Sequence, residues 1–177
     1  MSDGKKWGIG HLQGTQVLFL TGEYLHAIDA KGRLTIPAKL RDTINLTEEG
    51  YGFIAVQSFD AILYLYTPAT YRRNAPNFQP SLDANADVRN FKRMRFGMAQ
   101  ELEVDRLNRV LIPDSMLKRC GLKKEVAIVG VQDHIEVWDR AKWESFVGEQ
   151  LAQHDELAKR AMALEQKAAP AAPEKNE

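Results

Sequence analysis

Alternating apolar and polar residues recur in short stretches along the chain, and this pattern is typical of half-buried β-strands. Residues 23–28 are the clearest case, because Tyr24, His26 and Ile28 fall on one face of the predicted strand. Strands are predicted at residues 23–28, 34–36, 53–56, 61–66, 100–104, 110–112, 126–129 and 135–138. The chain is therefore expected to be mostly β.

Helical signals lie between these strands and near the end of the chain. Thr67 followed by Pro68 predicts a helix with a threonine cap, and Gly121 predicts the end of another helix, since glycine readily adopts the left-handed conformation found there. Asp139 is expected to cap the last and longest helix. Helices are predicted at residues 38–44, from residue 68 onward, at 87–96, at 113–118 and, as one long helix, at 140–167.

One nine-residue pattern occurs twice. It reads Asp-Ala-Lys-Gly-Arg-Leu-Thr-Ile-Pro at residues 29–37 and Asp-Arg-Leu-Asn-Arg-Val-Leu-Ile-Pro at residues 105–113, so Asp, Arg, Ile and Pro keep the same spacing. Each copy is followed by a short helix, an apolar run and a run that ends in aromatic residues. A single Asp-x-x-x-Arg is a weak signal, but two copies in matching contexts indicate an internal duplication.

Each copy is expected to begin with a turn. Asp29 can accept hydrogen bonds from its own downstream backbone, and Gly32 supplies a positive φ without steric cost. Asp105 and Asn108 occupy the corresponding positions, and asparagine is the next-best residue for left-handed backbone. We therefore expect these four residues to shape the two loops.

Composition narrows the functional classes. The 177 residues suffice for one domain of ordinary size or two small ones, and the 24 basic and 24 acidic residues argue against a general nucleic-acid coat while allowing a local basic face. The single Cys120 excludes a disulfide framework and is expected to be buried. No apolar run approaches the ~18 residues of a membrane span, and no signal peptide is evident, so we expect a cytoplasmic protein with no membrane partner.

No motif in the chain points to catalysis. The four histidines are scattered over different segments, and there is no glycine-rich phosphate loop and no nucleophile–base pair that the sequence brings together. We therefore expect no enzyme, no small-molecule substrate, no cofactor and no metal site.

The patterns divide the chain into five segments. These are a flexible N-terminal extension at residues 1–18, a first module at 19–71, a connector with a basic helix at 72–97, a second module at 98–147 and a helical, then disordered, tail at 148–177. The basic side chains of the connector helix are read either as a solvated face around a buried Phe91 or as phosphate contacts.

With both copies of the nine-residue pattern in view, the chain resembles the MraZ family of bacterial transcription factors over roughly residues 21–147. The resemblance implies an α+β, mostly β fold, in which two tandem AbrB/SpoVT-type modules form a pseudo-symmetric, β-barrel-like unit with short helices and a long C-terminal helix. It also implies that chains assemble into closed rings. The Asp-x-x-x-Arg loops would then recognise short repeated boxes upstream of the division and cell-wall gene cluster, which includes the protein's own gene. One departure is Thr21, which precedes Gly22 where the family usually has an arginine.

The chemistry of the loops agrees with this resemblance. Arginine offers a planar fork that pairs with guanine O6 and N7 in the major groove, where two strands also fit. Arg33 is therefore expected to be the principal DNA contact with Lys31 on a phosphate. Asp105 and Arg109 are expected to repeat the arrangement of Asp29 and Arg33, and Arg106 is a further expected DNA contact. Further phosphate contacts are expected from Lys39, Arg41, Lys92 and Arg93.

Two alternatives stay open at this point. In one, each Asp–Arg pair is only an internal clamp of its turn. In the other, the chain is an antitoxin-like or scaffold module of the same fold, which holds a protein partner with the same loops. The leading hypothesis is a ring-like homo-oligomer that binds double-stranded promoter DNA at the nucleoid and represses its own operon.

Overall fold

Eight strands form at the alternating stretches in the computed structural model, which describes residues 18–58, 60–76 and 80–168. They are β1 (Leu20–Ala27), β2 (Arg33–Thr35), β3 (Phe53–Gln57), β4 (Leu63–Tyr66), β5 (Gln100–Leu102), β6 (Arg109–Leu111), β7 (Glu125–Gln132) and β8 (His134–Asp139). Six of them form one antiparallel sheet in the order β1-β7-β8-β4-β3-β5, and β2 and β6 form a separate pair. The predicted α+β class is confirmed. Because β1 and β5 stand at the two ends of the strand order, the described sheet is open, and closure into a barrel is not shown.

The two sequence copies exchange strands. The first strand of each copy pairs with the third strand of the other, so His26 of β1 lies opposite Val126 of β7, and Leu102 of β5 lies opposite Phe53 of β3. Strands β4 and β8 pair at the centre of the sheet, and β2 pairs with β6 beside it. Reading the strand order backwards interchanges the copies, so the unit has the pseudo-symmetry that the duplication predicts.

Helices connect the strands. They are α1 (Ala38–Thr43), α2 (Leu46–Glu49), α3 (Pro68–Arg73), α4 (Ala86–Gly97), α5 (Asp114–Cys120), α6 (Arg140–Leu151) and α7 (His154–Ala168), with a 3₁₀ turn at Pro80–Ala84. The predicted caps are confirmed: the Thr67 side chain accepts the Thr70 N–H at 3.2 Å, and Gly121 ends α5 with a φ of 62°. The sequence pattern does not predict α2, a single turn whose cap is Asn45.

The prediction of one long C-terminal helix is wrong, because the chain forms α6 and α7 with a break after Leu151. At the break the Gln153 N–H bonds the Gln150 carbonyl at 3.0 Å, which is the tighter spacing of a final helical turn. Leu151, the last residue of α6, is 68% exposed, so its side chain packs little against the rest of the protein at the break. Asp155 and Glu156 then occupy the first turn of α7, where the helix dipole favours acidic residues.

Equivalent residues of the two copies meet in one core. Six of them are at most 1% exposed, namely Leu34, Ile36 and Leu40 of the first copy and Val110, Ile112 and Met116 of the second. They share a cluster with Leu63 and Leu65 of β4, whose alternate residues Tyr64 and Tyr66 must face the other side of the sheet. Each such burial contributes about 1.5–3 kcal/mol. Cys120 joins this cluster as predicted, and burial raises the pKa of its thiol to about 11.

The predicted terminal segments lie mainly outside the described residues. Of the predicted extension only Leu18 is described, and its side chain is buried in the core cluster. The predicted tail is described only as far as residue 168. Within the described ranges, none of the helices combines the length and apolar character needed to cross a membrane.

Candidate nucleic-acid interface

The pairing of β2 with β6 brings the two copies of the nine-residue pattern side by side. Leu34 lies opposite Val110 at the centre of this ribbon, and both side chains are fully buried. Since side chains alternate along a strand, the neighbouring positions point away from the core. The outward ribbon face therefore consists of Arg33, Thr35, Arg109 and Leu111.

The two arginines lie diagonally across this outward ribbon face. Arg33 pairs with Leu111 and Arg109 pairs with Thr35, so the arginines are offset by two positions in the register. Diagonal neighbours of this kind are about 7–8 Å apart between Cα atoms. The ribbon thus brings together the two residues that the sequence predicts as the main DNA contacts.

The first loop, residues 29–33, is organised by one carboxylate. Asp29 Oδ1 accepts the backbone N–H groups of Lys31 at 2.8 Å and Arg33 at 3.0 Å. Asp29 Oδ2 accepts Nε–H of Arg33 at 2.6 Å. The Gly32 N–H also bonds the Asp29 carbonyl at 2.9 Å. The carboxylate thus fixes both the turn and the guanidinium.

The second loop, residues 105–109, repeats this arrangement. Asp105 Oδ1 accepts the N–H groups of Leu107 at 2.8 Å and Arg109 at 3.0 Å. Asp105 Oδ2 accepts Nε–H of Arg109 at 2.8 Å and lies 2.7 Å from its Nη2. Lys31 of the first loop is exposed, and its counterpart in the second loop is the exposed Leu107; the basic residue of the second loop, Arg106, is also exposed but matches Ala30.

Positive φ values occur at matching positions in the loops, at 79° for Gly32 and 60° for Asn108. Each of these residues also bonds to the other copy: the Gly32 carbonyl accepts the Ile112 N–H at 2.9 Å, and the Asn108 carbonyl accepts the Ile36 N–H at 3.0 Å. A Cβ atom on Gly32 would lie 3.0 Å from the Ile112 carbonyl oxygen, which is a tight contact. The two loops are therefore coupled through the ribbon.

Both aspartates are held in the ionised form. The backbone N–H of Arg33 is the main cause of a lowered pKa for Asp29, and its guanidinium adds to the effect. In the second loop the Arg109 guanidinium is the main cause, and the pKa of Asp105 falls to about 2. At neutral pH each Asp–Arg pair therefore holds its own turn together, which is the first of the two alternatives left open by the sequence. For Arg33 the clamp engages Nε, and no bond to its Nη groups occurs within the described ranges.

The other predicted phosphate contacts divide into two groups. Lys39 and Arg41 follow the first loop on α1, where Lys39 is exposed and Arg41 donates from Nε to the Ile36 carbonyl at 3.2 Å. Lys92 and Arg93 lie on α4, where Lys92 pairs with Asp83 and Arg93 Nη1 donates to Asn90 Oδ1 at 3.0 Å.

Helix α4 is attached to the opposite side of the sheet from the ribbon. The Arg95 guanidinium lies over the rings of Tyr66 and Tyr71, at 5.7 and 5.8 Å from their centres. Tyr66 points away from the core face on which the ribbon packs. The structure therefore does not bring Lys92 and Arg93 together with the loops. Phe91, which one of the two readings of this helix has as a buried residue, is only half-buried, and α4 has no buried residue.

Sequence reasoning missed Thr35 and Leu111 as members of the outward ribbon face. A signal was available, because each lies two residues after a candidate arginine and strand residues two apart share a face. The short length of β2 and β6, at three residues each, hid this relation. Within the described part of the chain, no group of three or more His, Cys, Asp or Glu side chains is placed to hold a metal ion.

Comparison with known proteins agrees with the duplication. The sequence profile described as "MraZ protein" matches the chain twice, at residues 19–94 and again at residues 95–165. The chain belongs to the MraZ family. Each of these two repeats contains one copy of the nine-residue pattern, and the exchanged strands pair one repeat with the other.

Individual MraZ relatives match nearly their whole length. The transcriptional regulator MraZ of Acetivibrio thermocellus is 36% identical over 143 residues, which are 81% of this chain and 96% of that protein. The transcriptional regulator MraZ of Heliobacterium modesticaldum is 34% identical over 139 residues, or 78% of this chain and 94% of that protein. That of Moorella thermoacetica is 36% identical over 139 residues, with the same two shares.

Proposed function

We propose that this protein is a sequence-specific DNA-binding transcriptional regulator, and that the outward ribbon face with its two loops is the surface that reads DNA. The observation that carries this proposal is the placement of Arg33 and Arg109 on one exposed face, each beside a loop held by an aspartate. The names of the MraZ relatives, all transcriptional regulators, support it.

A two-stranded ribbon suits the major groove. The groove is about 12 Å wide and admits two strands, and an arginine there can pair with guanine O6 and N7. Because Asp29 engages Nε of Arg33, the two Nη groups are oriented together as a fork. Arg109 also approaches Asp105 through Nη2, so we expect Arg33 to be the stronger base contact of the two.

Lysine and arginine side chains near the ribbon would supply phosphate contacts. We propose this role for Lys31, Arg106, Lys39 and Arg41, which lie in or directly after the loops. Lys92 and Arg93 lie beyond the other face of the sheet, so they are left out of the proposed interface.

A homo-oligomer would present several copies of the outward ribbon face to the DNA. Each mismatched base pair costs only about 1–3 kcal/mol, so one ribbon gives limited discrimination, whereas linked ribbons bind repeated boxes at high effective concentration. We propose a ring-like assembly that binds repeated promoter boxes upstream of its own gene and the division and cell-wall cluster, and acts there as a repressor at the nucleoid. The open edge strand β1 supports self-association, since Phe19 beside it and Leu25 within it are 61% and 51% exposed.

The test is binding to the DNA upstream of the protein's own gene across a salt series. Arg33→Ala is expected to weaken specific binding about 5- to 150-fold per box, the range of one arginine–guanine pair. Arg33→Lys keeps the charge without the fork and is expected to lose most of the same specificity. Arg160→Ala, on an exposed position of α7, is the matched control. Folding and oligomer mass are measured on every variant, and equal binding by wild type and Arg33→Ala would refute the role of Arg33.

A second candidate function is the binding of a protein partner, as in an antitoxin-like or scaffold module. The observation in its favour is a groove of about 890 Å³ beside the second loop, whose lining combines apolar residues such as Ile44, Leu46 and Val104 with charged residues such as Asp42 and Glu101. Tyr51 at its rim is 81% exposed. Absence of any affinity for the upstream DNA at low salt would favour this candidate over the first.

A further inference from the structure

The outward ribbon face is chemically asymmetric although the fold is pseudo-symmetric. Leu111 lies directly opposite Arg33, whereas the equivalent position in the first copy is Thr35, opposite Arg109. Leu111 is 58% exposed, so a large apolar side chain occupies a face that otherwise carries two arginines and a hydroxyl. One half of the face therefore combines a guanidinium with an apolar group, and the other combines a guanidinium with a hydroxyl.

Leu111 is not needed for the core. Its neighbours Val110 and Ile112 are 0% and 1% exposed and already fill the interior positions of β6 and the residue after it. The Leu111 side chain instead leans towards the first loop, since its Cδ1 lies 3.7 Å from the position that a Cβ on Gly32 would occupy. Leu111 and Arg33 therefore present one continuous surface at the same end of the ribbon.

We infer that Leu111 contacts the C5-methyl group of a thymine next to the base pair that Arg33 contacts, and so helps to set the DNA sequence that is read. This inference rests on the proposed function. Among the groups that a base pair presents in the major groove, the thymine methyl is the apolar one, and apolar side chains recognise it by contact. Phosphates attract the neighbouring arginine but offer nothing to a leucine.

The DNA site of one ribbon is expected to lack twofold symmetry. The pseudo-twofold axis of the ribbon would predict a palindromic box, because it relates Arg33 to Arg109. The pairing of Arg33 with Leu111, and of Arg109 with Thr35, makes the two halves chemically different. Each ribbon is therefore expected to read an asymmetric box, with a guanine and a neighbouring thymine recognised at the Arg33 end.

The experiment removes the methyl group from the DNA and leaves base pairing intact. The DNA upstream of the gene is amplified with dUTP in place of dTTP, and its affinity for the full-length protein is compared with that of the thymine-containing DNA. The wild-type protein is expected to bind the uracil DNA at least about fourfold more weakly, the change that corresponds to ~0.8 kcal/mol for one buried methyl group.

Variants assign this effect to one side chain. Leu111→Ala is expected to bind the two DNAs equally, whereas Leu164→Ala, an exposed leucine on α7, is expected to keep the wild-type ratio. Circular dichroism and light scattering on each variant establish that the fold and the oligomer mass are unchanged.

Four outcomes would overturn the inference. A Leu111→Ala protein that retains the wild-type preference for thymine DNA would show that another group reads the methyl. A wild-type protein with equal affinity for both DNAs would show that no methyl is read, although DNA binding itself would stand. A change of oligomer mass in Leu111→Ala would assign the residue to a subunit contact. Failure of the wild type to bind either DNA would instead refute the proposed function, and the inference with it.

Discussion

Asp29 holds Arg33 through both of its carboxylate oxygens. Oδ1 accepts the Arg33 backbone N–H at 3.0 Å, and Oδ2 accepts the side-chain Nε–H at 2.6 Å. One residue therefore fixes both the end of the loop and the direction of the guanidinium. The ion pair with Asp29 and a contact with DNA are therefore compatible roles for Arg33. The ion pair engages Nε, and the two Nη groups are left to contact a base.

This relationship predicts that Asp29→Asn impairs DNA binding without unfolding the protein. The amide oxygen can still accept the two backbone N–H groups, but the ionic partner of the guanidinium is lost. The affinity for the upstream DNA is expected to fall towards that of Arg33→Ala. The double variant is expected to be no weaker than Arg33→Ala alone, because both changes remove the same oriented contact. Asp42→Asn on α1 is the control, and fully additive effects in the cycle would contradict the prediction.

The matching positions Gly32 and Asn108 are predicted to respond differently to substitution. Gly32→Ala places a Cβ on a backbone with a φ of 79° and 3.0 Å from the Ile112 carbonyl oxygen, so we expect a loss of about 1–3 kcal/mol in the free energy of unfolding. Asn108→Gly keeps the positive φ accessible and is expected to change that free energy by less than ~0.5 kcal/mol. Urea unfolding of both variants checks this, and equal losses would be evidence against it.

Local features of this fold follow from the sequence. The turn chemistry of Asp29 and Gly32 is contained within five residues, and the strands follow from alternation over short stretches. The caps at Thr67 and Asp139 also depend on immediate neighbours, and each accepts a backbone N–H three residues ahead.

Long-range features do not follow in the same way. Nothing near His26 indicates that its partner is Val126, because strand pairing over 100 residues depends on which edges the whole fold leaves open. The partnership of Arg33 with Leu111 likewise depends on the long-range pairing of β2 with β6, so the sequence indicates which residues share a face of each strand but not which residues lie opposite each other. The break after Leu151 is likewise not marked by a proline, and the nearest glycine, Gly148, lies three residues earlier inside α6.

The exchange of strands predicts that neither copy folds as an isolated monomer. A fragment ending before residue 95 lacks β5, the partner of β3, and β7, the partner of β1. It can recover this pairing only from a second fragment, so we expect it to be unfolded or dimeric. Circular dichroism and light scattering over a concentration series test this, with the full-length protein as the control. A folded, monomeric fragment would contradict the exchanged topology.

A polar cluster at the centre of the sheet predicts a specific pH dependence of stability. His134 stacks on the ring of Tyr66 and lies tilted against that of Tyr64. Its Nδ1 is 2.6 Å from Asp133 Oδ1, and its Nε2 is 3.5 Å from Glu136 Oε1, a distance suited to an ion pair but long for a hydrogen bond. Burial disfavours the charged imidazolium, but the two carboxylates outweigh it and raise the pKa of His134 above its usual 6.5.

Because folding favours the protonated form, this group stabilises the protein fully below pH 6.5, and its contribution is lost as the pH rises through the raised pKa. The free energy of unfolding, measured with urea from pH 5.5 to about 8.5, is therefore expected to decline over the upper part of this range. In His134→Gln the protein is expected to be less stable at low pH and to lose this decline, since glutamine does not titrate. His154→Gln, at an exposed position, is expected to follow the wild-type curve. A His134→Gln protein that keeps the wild-type slope would show that the pH dependence comes from another group.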